Sequence, residues 1–283
     1  MEQLGLDGMP TRLFPCTPSR LTSWSDCPRR YRMSYLDRPA PQRGPAWAHI
    51  TMGAAVHLAL ARFWDLPVGR RTPAGARALL VAAWQSDGFA DDAQAALWRE
   101  RAADMVARYV DDVDPADEPA GVERTVAFPT ATLAVSGRVD RVDRRGEEVV
   151  VVDYKTGRTP STEDEARGSL ALALYALACA RTFRRACATV ELHHLPSGHV
   201  ASFTHTSESL ARHLRRAEVL AAEVVAATSA LAAGGDPDGL FPPRPSAVCG
   251  WCDYARHCPQ GLAVTPRPKR SWEGLAPERP PLD

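Results

Sequence analysis

Residues 137–157 read GRVDRVDRRGEEVVVVDYKTG, and the fold turns on this stretch. Val149–Val152 is an unbroken apolar run, which suits a strand covered on both faces. A second run of strand-forming residues ends near Asp143, and the polar Arg144–Glu147 segment between the two reads as a hairpin turn. Side chains alternate along a strand, so Asp153 and Lys155 share a side and Tyr154 takes the other. With the turn centred between Arg145 and Gly146, Asp140 pairs with Val151 and Arg138 with Asp153. That register brings Asp140 onto the face of Asp153 and Lys155, with the two aspartates about 7–8 Å apart at the backbone. A turn one residue longer or shorter would send Asp140 to the other side.

Two carboxylates converging from neighbouring strands repel each other and suit a hard divalent cation, which prefers oxygen ligands. An adjacent lysine can hold or deprotonate a water and can balance charge developing on a phosphate. Lys155 and Lys269 are the only lysines, so 32 of the 34 basic residues are arginine. Arginine exchanges protons poorly, which gives Lys155 a reason to escape that bias. The plain alternative is a surface hairpin carrying solvated charge, and it suffices for Asp143, Arg144, Arg145 and Glu147.

Working outward, a short helix over Leu21–Tyr35 carries Trp24, Cys27 and Tyr31. A longer apolar helix covers 48–64, with Gly53 and His57 four apart on one face. Helices over 72–87 and 92–112 precede strands at Val122–Phe128, Thr132–Asp143 and Glu148–Lys155. A helix over 162–183, strands near 187–195 and 198–204, and a helix over 207–232 follow. This order predicts an α/β fold: a mixed central sheet flanked by helices, with a helical region closed by a C-terminal cysteine cluster. One domain is expected over 21–263, between a flexible tail at 1–20 and a disordered Pro-rich tail at 264–283.

The apolar fraction of 45% and charged fraction of 24% belong to a globular protein, and the formal net charge is zero. Only local basic clusters can then recognise a polyanion. Candidates are Arg29, Arg30 and Arg32; Arg138, Arg141, Arg144 and Arg145; and Arg181, Arg184 and Arg185, each of which could equally be a solvated face. Residues 1–20 lack the apolar core of a secretory signal, and the run Leu170–Ala180 is too short for a membrane span. Cytoplasmic localisation and reduced cysteines are therefore expected. No phosphate-binding loop precedes Lys155-Thr156, so no motor is expected.

Taken together, the stretch resembles the core of the PD-(D/E)XK nuclease superfamily in its RecB-like exonuclease branch, which implies a restriction-endonuclease-like core. Gly53 with His57, Asp140 in GRVDRVD, and Asp153-Tyr154-Lys155-Thr156-Gly157 occur in the order that branch shows. The resemblance implies that His57, Asp140, Asp153 and the Tyr154 carbonyl bind Mg²⁺ or Mn²⁺, with Lys155 as the catalytic lysine. It also implies an active-site tyrosine, Tyr175, preceded by a glutamine; here that position is Ala171, which alters contacts near the substrate. Glu123 is either an auxiliary acid or an ordinary strand-end charge.

Cys249, Cys252 and Cys258 form C-x2-C-x5-C, one ligand short of a four-thiolate site, and Cys27 is the natural fourth. This set resembles the iron–sulfur members of the same branch, implying a [4Fe–4S] cluster that staples the ends of the domain. A structural Zn²⁺ is the alternative. Cys16, Cys179 and Cys187 read as small buried residues. The implied function is a Mg²⁺- or Mn²⁺-dependent deoxyribonuclease of repair or recombination, an exonuclease acting on single-stranded DNA or free ends. A separate helicase partner is consistent with it, and no membrane is involved. The alternative is a non-catalytic DNA-binding scaffold that keeps the fold and the cluster.

Overall fold

The computed structural model describes residues 13–275. In chain order it has β1 (Phe14–Cys16), α1 (Pro18–Asp26), α2 (Pro28–Tyr35), α3 (Ala48–Trp64), α4 (Pro73–Ala83) and α5 (Asp92–Asp111). There follow β2 (Gly121–Pro129), β3 (Leu133–Arg145), β4 (Glu148–Lys155), α6 (Glu163–Gly168) and α7 (Leu170–Phe183). The chain continues through β5 (Thr189–His194), β6 (His199–Thr204), α8 (Ser207–Ala232), α9 (Pro237–Leu240) and α10 (Pro259–Val264). The six strands form one mixed sheet, with β4 and β5 parallel and the hairpins antiparallel. Helices pack on both faces, giving the α/β class that the sequence predicts.

The four valines explain the layering. Val149 and Val151 enter a core shared with α7 and α8, while Val150 and Val152 enter a second core shared with α3, α4 and α5. All four are at most 2% exposed, and burying each contributes about 1.5–3 kcal/mol. A third cluster joins Trp24 and Tyr31 of the first two helices to Val224 of α8 and to Phe241.

Four expectations need correcting. The hairpin turn lies one residue later than predicted, because Arg145 pairs with Glu148 and Gly146 adopts the left-handed conformation, φ 61°. Arg141 then pairs with Val152, and the regular pairing of the two strands stops there, one step before Asp140 and Asp153. Helix 21–35 is two helices, because Cys27 is extended before Pro28, which cannot continue α1. Helix 162–183 also breaks, at Ser169, whose side chain caps α7 by accepting the Leu172 N–H at 3.2 Å.

Parts of 14–20 and 264–275, expected in the tails, pack into the fold. Residues 1–12 and 276–283 lie outside the described part, but Phe14–Cys16 pairs in parallel with Leu133–Val135 of β3. At the other end Trp272 and Leu275 pack into the α3 core, and Leu275 is 5% exposed. No helix among the described residues is long and apolar enough to cross a membrane.

β3 is the organising strand. One edge pairs with β2 along most of its length; the other pairs with β1 up to Val135 and with β4 from Arg141 onward. Beyond Arg141–Val152, β4 leaves β3 and runs beside β5 to Lys155. The alternation of β3 also slips here: Val139 and Val142 reach the same core, although three steps along a regular strand change face. The sheet therefore opens between Asp140 and Asp153.

A polar chain runs beside the same strands, from the hairpin to the level of Tyr154. Arg145 grips Glu191 at 2.7 and 2.8 Å, Glu191 meets His193 Nε2 at 2.9 Å, and His193 Nδ1 meets the Tyr109 hydroxyl at 2.8 Å. Burial alone would raise the Glu191 carboxyl, but the bonds from His193 and Arg145 outweigh it and hold it at about 2, against an ordinary 4.5. A carboxylate held down in the folded state stabilises it above the unfolded value, and that contribution is lost as pH falls through the folded one. Glu191→Gln is therefore expected to destabilise the protein by about 1–3 kcal/mol at pH 7. The gap from wild type should narrow as pH drops below about 4.5 towards 2, readable by urea melts across pH. A gap that is constant with pH would show that charge at Glu191 is immaterial.

Candidate active site

The opening between β3 and β4 is covered by α3, which brings His57 to the sheet. His57 Nδ1 stands 3.2 Å from Asp140 Oδ1. The other Asp140 oxygen accepts the Tyr154 backbone N–H at 2.8 Å, so the aspartate is fixed from two sides. The Tyr154 ring is buried on the α3 side and meets the His57 ring edge-on, 5.8 Å between centroids. Gly53, one turn earlier on α3, faces Thr156: a Cβ there would stand 3.4 Å from the Thr156 hydroxyl, a contact but not a clash.

Glu123 is the least regular residue of the sheet. Its backbone is left-handed, φ 45°, a region that non-glycine residues seldom occupy. Register along β2 and β3 places it beside Asp140, where the regular pairing is interrupted. The result is a group of His57, Glu123 and Asp140, whose ligand atoms all lie within 4.8 Å of one another. Arg138 approaches Glu123 at 2.5 Å. The sequence left Glu123 as an auxiliary acid or a strand-end charge; the structure sets it beside His57 and Asp140.

Asp153 stands next to this group but outside that three-residue cluster. Lys155 Nζ lies 2.5 Å from Asp153 Oδ2, which is buried and receives no aligned hydrogen bond. Burial pushes the Asp153 carboxyl up, Lys155 pulls it back and Asp140 pushes it up again, leaving it raised. Burial and Asp140 likewise raise Glu123. Burial pulls the His57 imidazole down, but the hydrogen bond and charge of Asp140, backed by Asp153 and Glu123, carry it above its ordinary value. These are signs of crowded negative charge.

Tyr175 of α7 packs over Gly137, where an added Cβ would collide with its ring. Burial first, then Asp153 and Asp140, push its hydroxyl up to about 12. Tyr175 is thus within the electrostatic reach of both aspartates. Hard oxygen donors, one imidazole and a buried carboxylate oxygen without an aligned donor fit a divalent cation. The His57 group, Lys155 and Tyr154 line one open cleft of about 1110 Å³.

Several arginines proposed for DNA prove structural. Arg141 is 6% exposed, donates to the Tyr154 and Tyr109 hydroxyls at 3.2 Å and pairs with Asp143 at 2.8 Å. Arg29 is buried against Gln260 and Asp238. Arg138, by contrast, lines the cleft. The apolar cleft residues Ile50, Leu58, Trp98 and Trp251 were missed, although Ile50 and Leu58 stand at helical i, i+8 spacing.

The four cysteines singled out by spacing all line one small pocket. Cys27 separates α1 from α2, Cys249 and Cys252 bracket a single turn, and Cys258 caps α10, accepting the Gly261 N–H at 3.4 Å. Gly261 leaves room for the sulfurs: a Cβ there would stand 3.4 Å from Cys258 Sγ and 3.6 Å from Cys249 Sγ. No three of these sulfurs lie within 4.8 Å of one another.

Compared with known proteins, the chain matches the family model described as the PD-(D/E)XK nuclease superfamily over residues 15–259. No curated protein matches it.

Proposed function

The chain belongs to the PD-(D/E)XK nuclease superfamily, and on that footing we propose that it is a metal-dependent DNA nuclease of the RecB-like branch. The observation that carries this reading is the meeting of His57, Glu123 and Asp140 in a cleft that also holds Lys155. His57, Asp140 and Asp153 would hold Mg²⁺ or Mn²⁺ with the Tyr154 carbonyl, and Glu123 joins them. When bound, the cation draws charge from a scissile phosphate oxygen and acidifies a water.

The chain's own residues supply the rest. Asp153 keeps the Lys155 ammonium in the cleft, where it orients the attacking water and offers charge to the phosphate; it can take a proton from that water only after giving up one of its own. The Tyr154 N–H holds Asp140 in place, and Arg138 offers charge to a flanking phosphate. Tyr175 stands within the electrostatic reach of the same pair of aspartates. Cleavage of linear and circular single-stranded DNA with Mn²⁺, abolished by a chelator, tests the reading and separates exonuclease from endonuclease action. A chain that binds DNA but cuts neither form under any divalent ion is the scaffold alternative. Action on free ends, a role in repair or recombination, a helicase partner and a cytoplasmic setting all belong to this proposal.

The cysteine pocket is assigned a [4Fe–4S] cluster. Four sulfurs on one zinc stand about 3.8 Å apart, given Zn–S bonds of about 2.3 Å. The C-x2-C-x5-C spacing with the distant Cys27 is what supports a cluster, in which each thiolate takes a different iron. It would close a loop of more than 200 residues between Cys27 and Cys249. Purified protein is expected to be brown, with roughly four irons per chain. Cys258→Ser should lose that absorption and melt earlier. A colourless chain carrying one zinc would overturn the assignment.

A further inference from the structure

We propose that the apolar wall of the cleft is a base-stacking subsite for single-stranded nucleic acid, made by Ile50 and Leu58 of α3, Trp98 of α5 and Trp251. It rests on the nuclease reading above and names what that nuclease grips.

The wall is unusual for a solvent-facing surface. Ile50, Ala54 and Leu58 stand at i, i+4 and i+8, so they form one stripe of α3, and they line the cleft together. Ile50 is 60% exposed and Leu58 40%, positions where an amphipathic helix normally carries polar residues. Trp98 faces the cleft from α5, and Trp251 from the turn between Cys249 and Cys252. The Trp251 ring is held by neighbours: Trp47 lies 5.2 Å away and His49 5.5 Å away between centroids. Trp47 is itself anchored, donating its indole N–H to Asp253 at 2.8 Å. A fixed aromatic surface costs little entropy when a planar ligand stacks on it.

Charge is distributed the opposite way. Among the described residues, every Arg and Lys that lines the cleft, namely Arg138, Lys155 and Arg158, comes from β3, β4 or the turn after β4. None comes from α3 or α5. Phosphates therefore belong at the sheet end, beside Asp140 and His57, and the stripe of Ile50, Ala54 and Leu58 offers them no charge. The part of the same substrate that meets this wall must be apolar and flat. Bases meet that description only when unpaired, because a duplex hides their faces in its own stack.

The test uses the full chain carrying Lys155→Ala, with Mn²⁺ present, so that strands bind without being cut. Fluorescence anisotropy compares oligothymidine, an abasic strand of equal length and a blunt duplex. Oligothymidine should bind at least about 10-fold tighter than either of the others. Adding Trp98→Ala should weaken oligothymidine binding about 5- to 150-fold and leave the abasic strand unchanged. Trp98→Phe should retain most of the affinity, which guards against a folding defect. Equal binding of intact and abasic strands, or a duplex bound as tightly as oligothymidine, overturns the subsite. Wild-type cleavage run alongside separates the two failures: cutting without base dependence sinks this inference alone, and no cutting sinks the nuclease reading too.

Discussion

Asp140→Asn is expected to lower Mn²⁺-dependent cleavage by at least about 10³-fold, the loss of several kcal/mol of metal-borne stabilisation, while the protein stays folded. Asp140 sits where three constraints meet: His57 on one oxygen, the Tyr154 N–H on the other, and Glu123 alongside. Asparagine keeps an oxygen for the Tyr154 N–H and removes the charge, so the variant isolates the ligand role from the structural one. Without the cation, three crowded carboxylates repel one another, and burial together with Asp140 already raises Glu123. Removing one charge should leave the melting temperature equal or higher in a chelator, and should abolish the rise that Mn²⁺ gives wild type. Asp140→Ala is the harsher control, because it also strands the buried Tyr154 N–H. An Asp140→Asn chain that cuts at the wild-type rate would refute the proposed centre.

Lys155→Arg is expected to be nearly as inactive as Lys155→Ala, with each losing about 10²–10⁴-fold in rate. Both side chains carry positive charge, so a purely electrostatic role would survive the exchange. A role in holding and transferring a proton would not, because guanidinium does not give its proton up usefully. Lys155 is 45% exposed in the cleft with its ammonium against Asp153, which places it where either role could act. Lys155 is not assigned as a ligand, so Mn²⁺ affinity measured by electron paramagnetic resonance should stay within a few-fold of wild type. Recovery of cleavage to within about 10-fold by Arg would show that charge alone suffices. A loss of Mn²⁺ affinity in Lys155→Ala would instead mean that Asp153 depends on the ammonium for its position.

Much of the scaffold was legible because it is locally encoded. Val149–Val152 could only be a strand covered on both faces, and the 48–64 helix follows from its apolar spacing. His57 was found from its place one turn after Gly53, although Gly53 meets Thr156 less tightly than a required glycine would. The turn slipped by one residue, which moved the pairing by two, and the regular β3–β4 pairing stops at Arg141 and Val152, one step short of Asp140 and Asp153. The arginines near the site show the reverse. Arg138 and Arg141 stand three residues apart in one strand, yet one lines the cleft and the other is sealed among Tyr154, Tyr109 and Asp143. Composition cannot separate them, because what each meets depends on the helices and rings packed beside β3.

The sequence by itself determined the strand and helix menu, the pairing of an acid-rich hairpin with Lys155, and the cysteine spacing. These depend on periodicity and neighbours within a few residues. Only the tertiary structure decided that Glu123 joins His57 and Asp140, that β3 and β4 part at the site, and that Trp251 from the far end of the chain walls the cleft. Glu123 owes its left-handed backbone to the strands packed around it, and Trp251 is held across the fold by Trp47 and His49. Such contacts join residues far apart in the chain, and their energy arises only once burial has fixed register and packing.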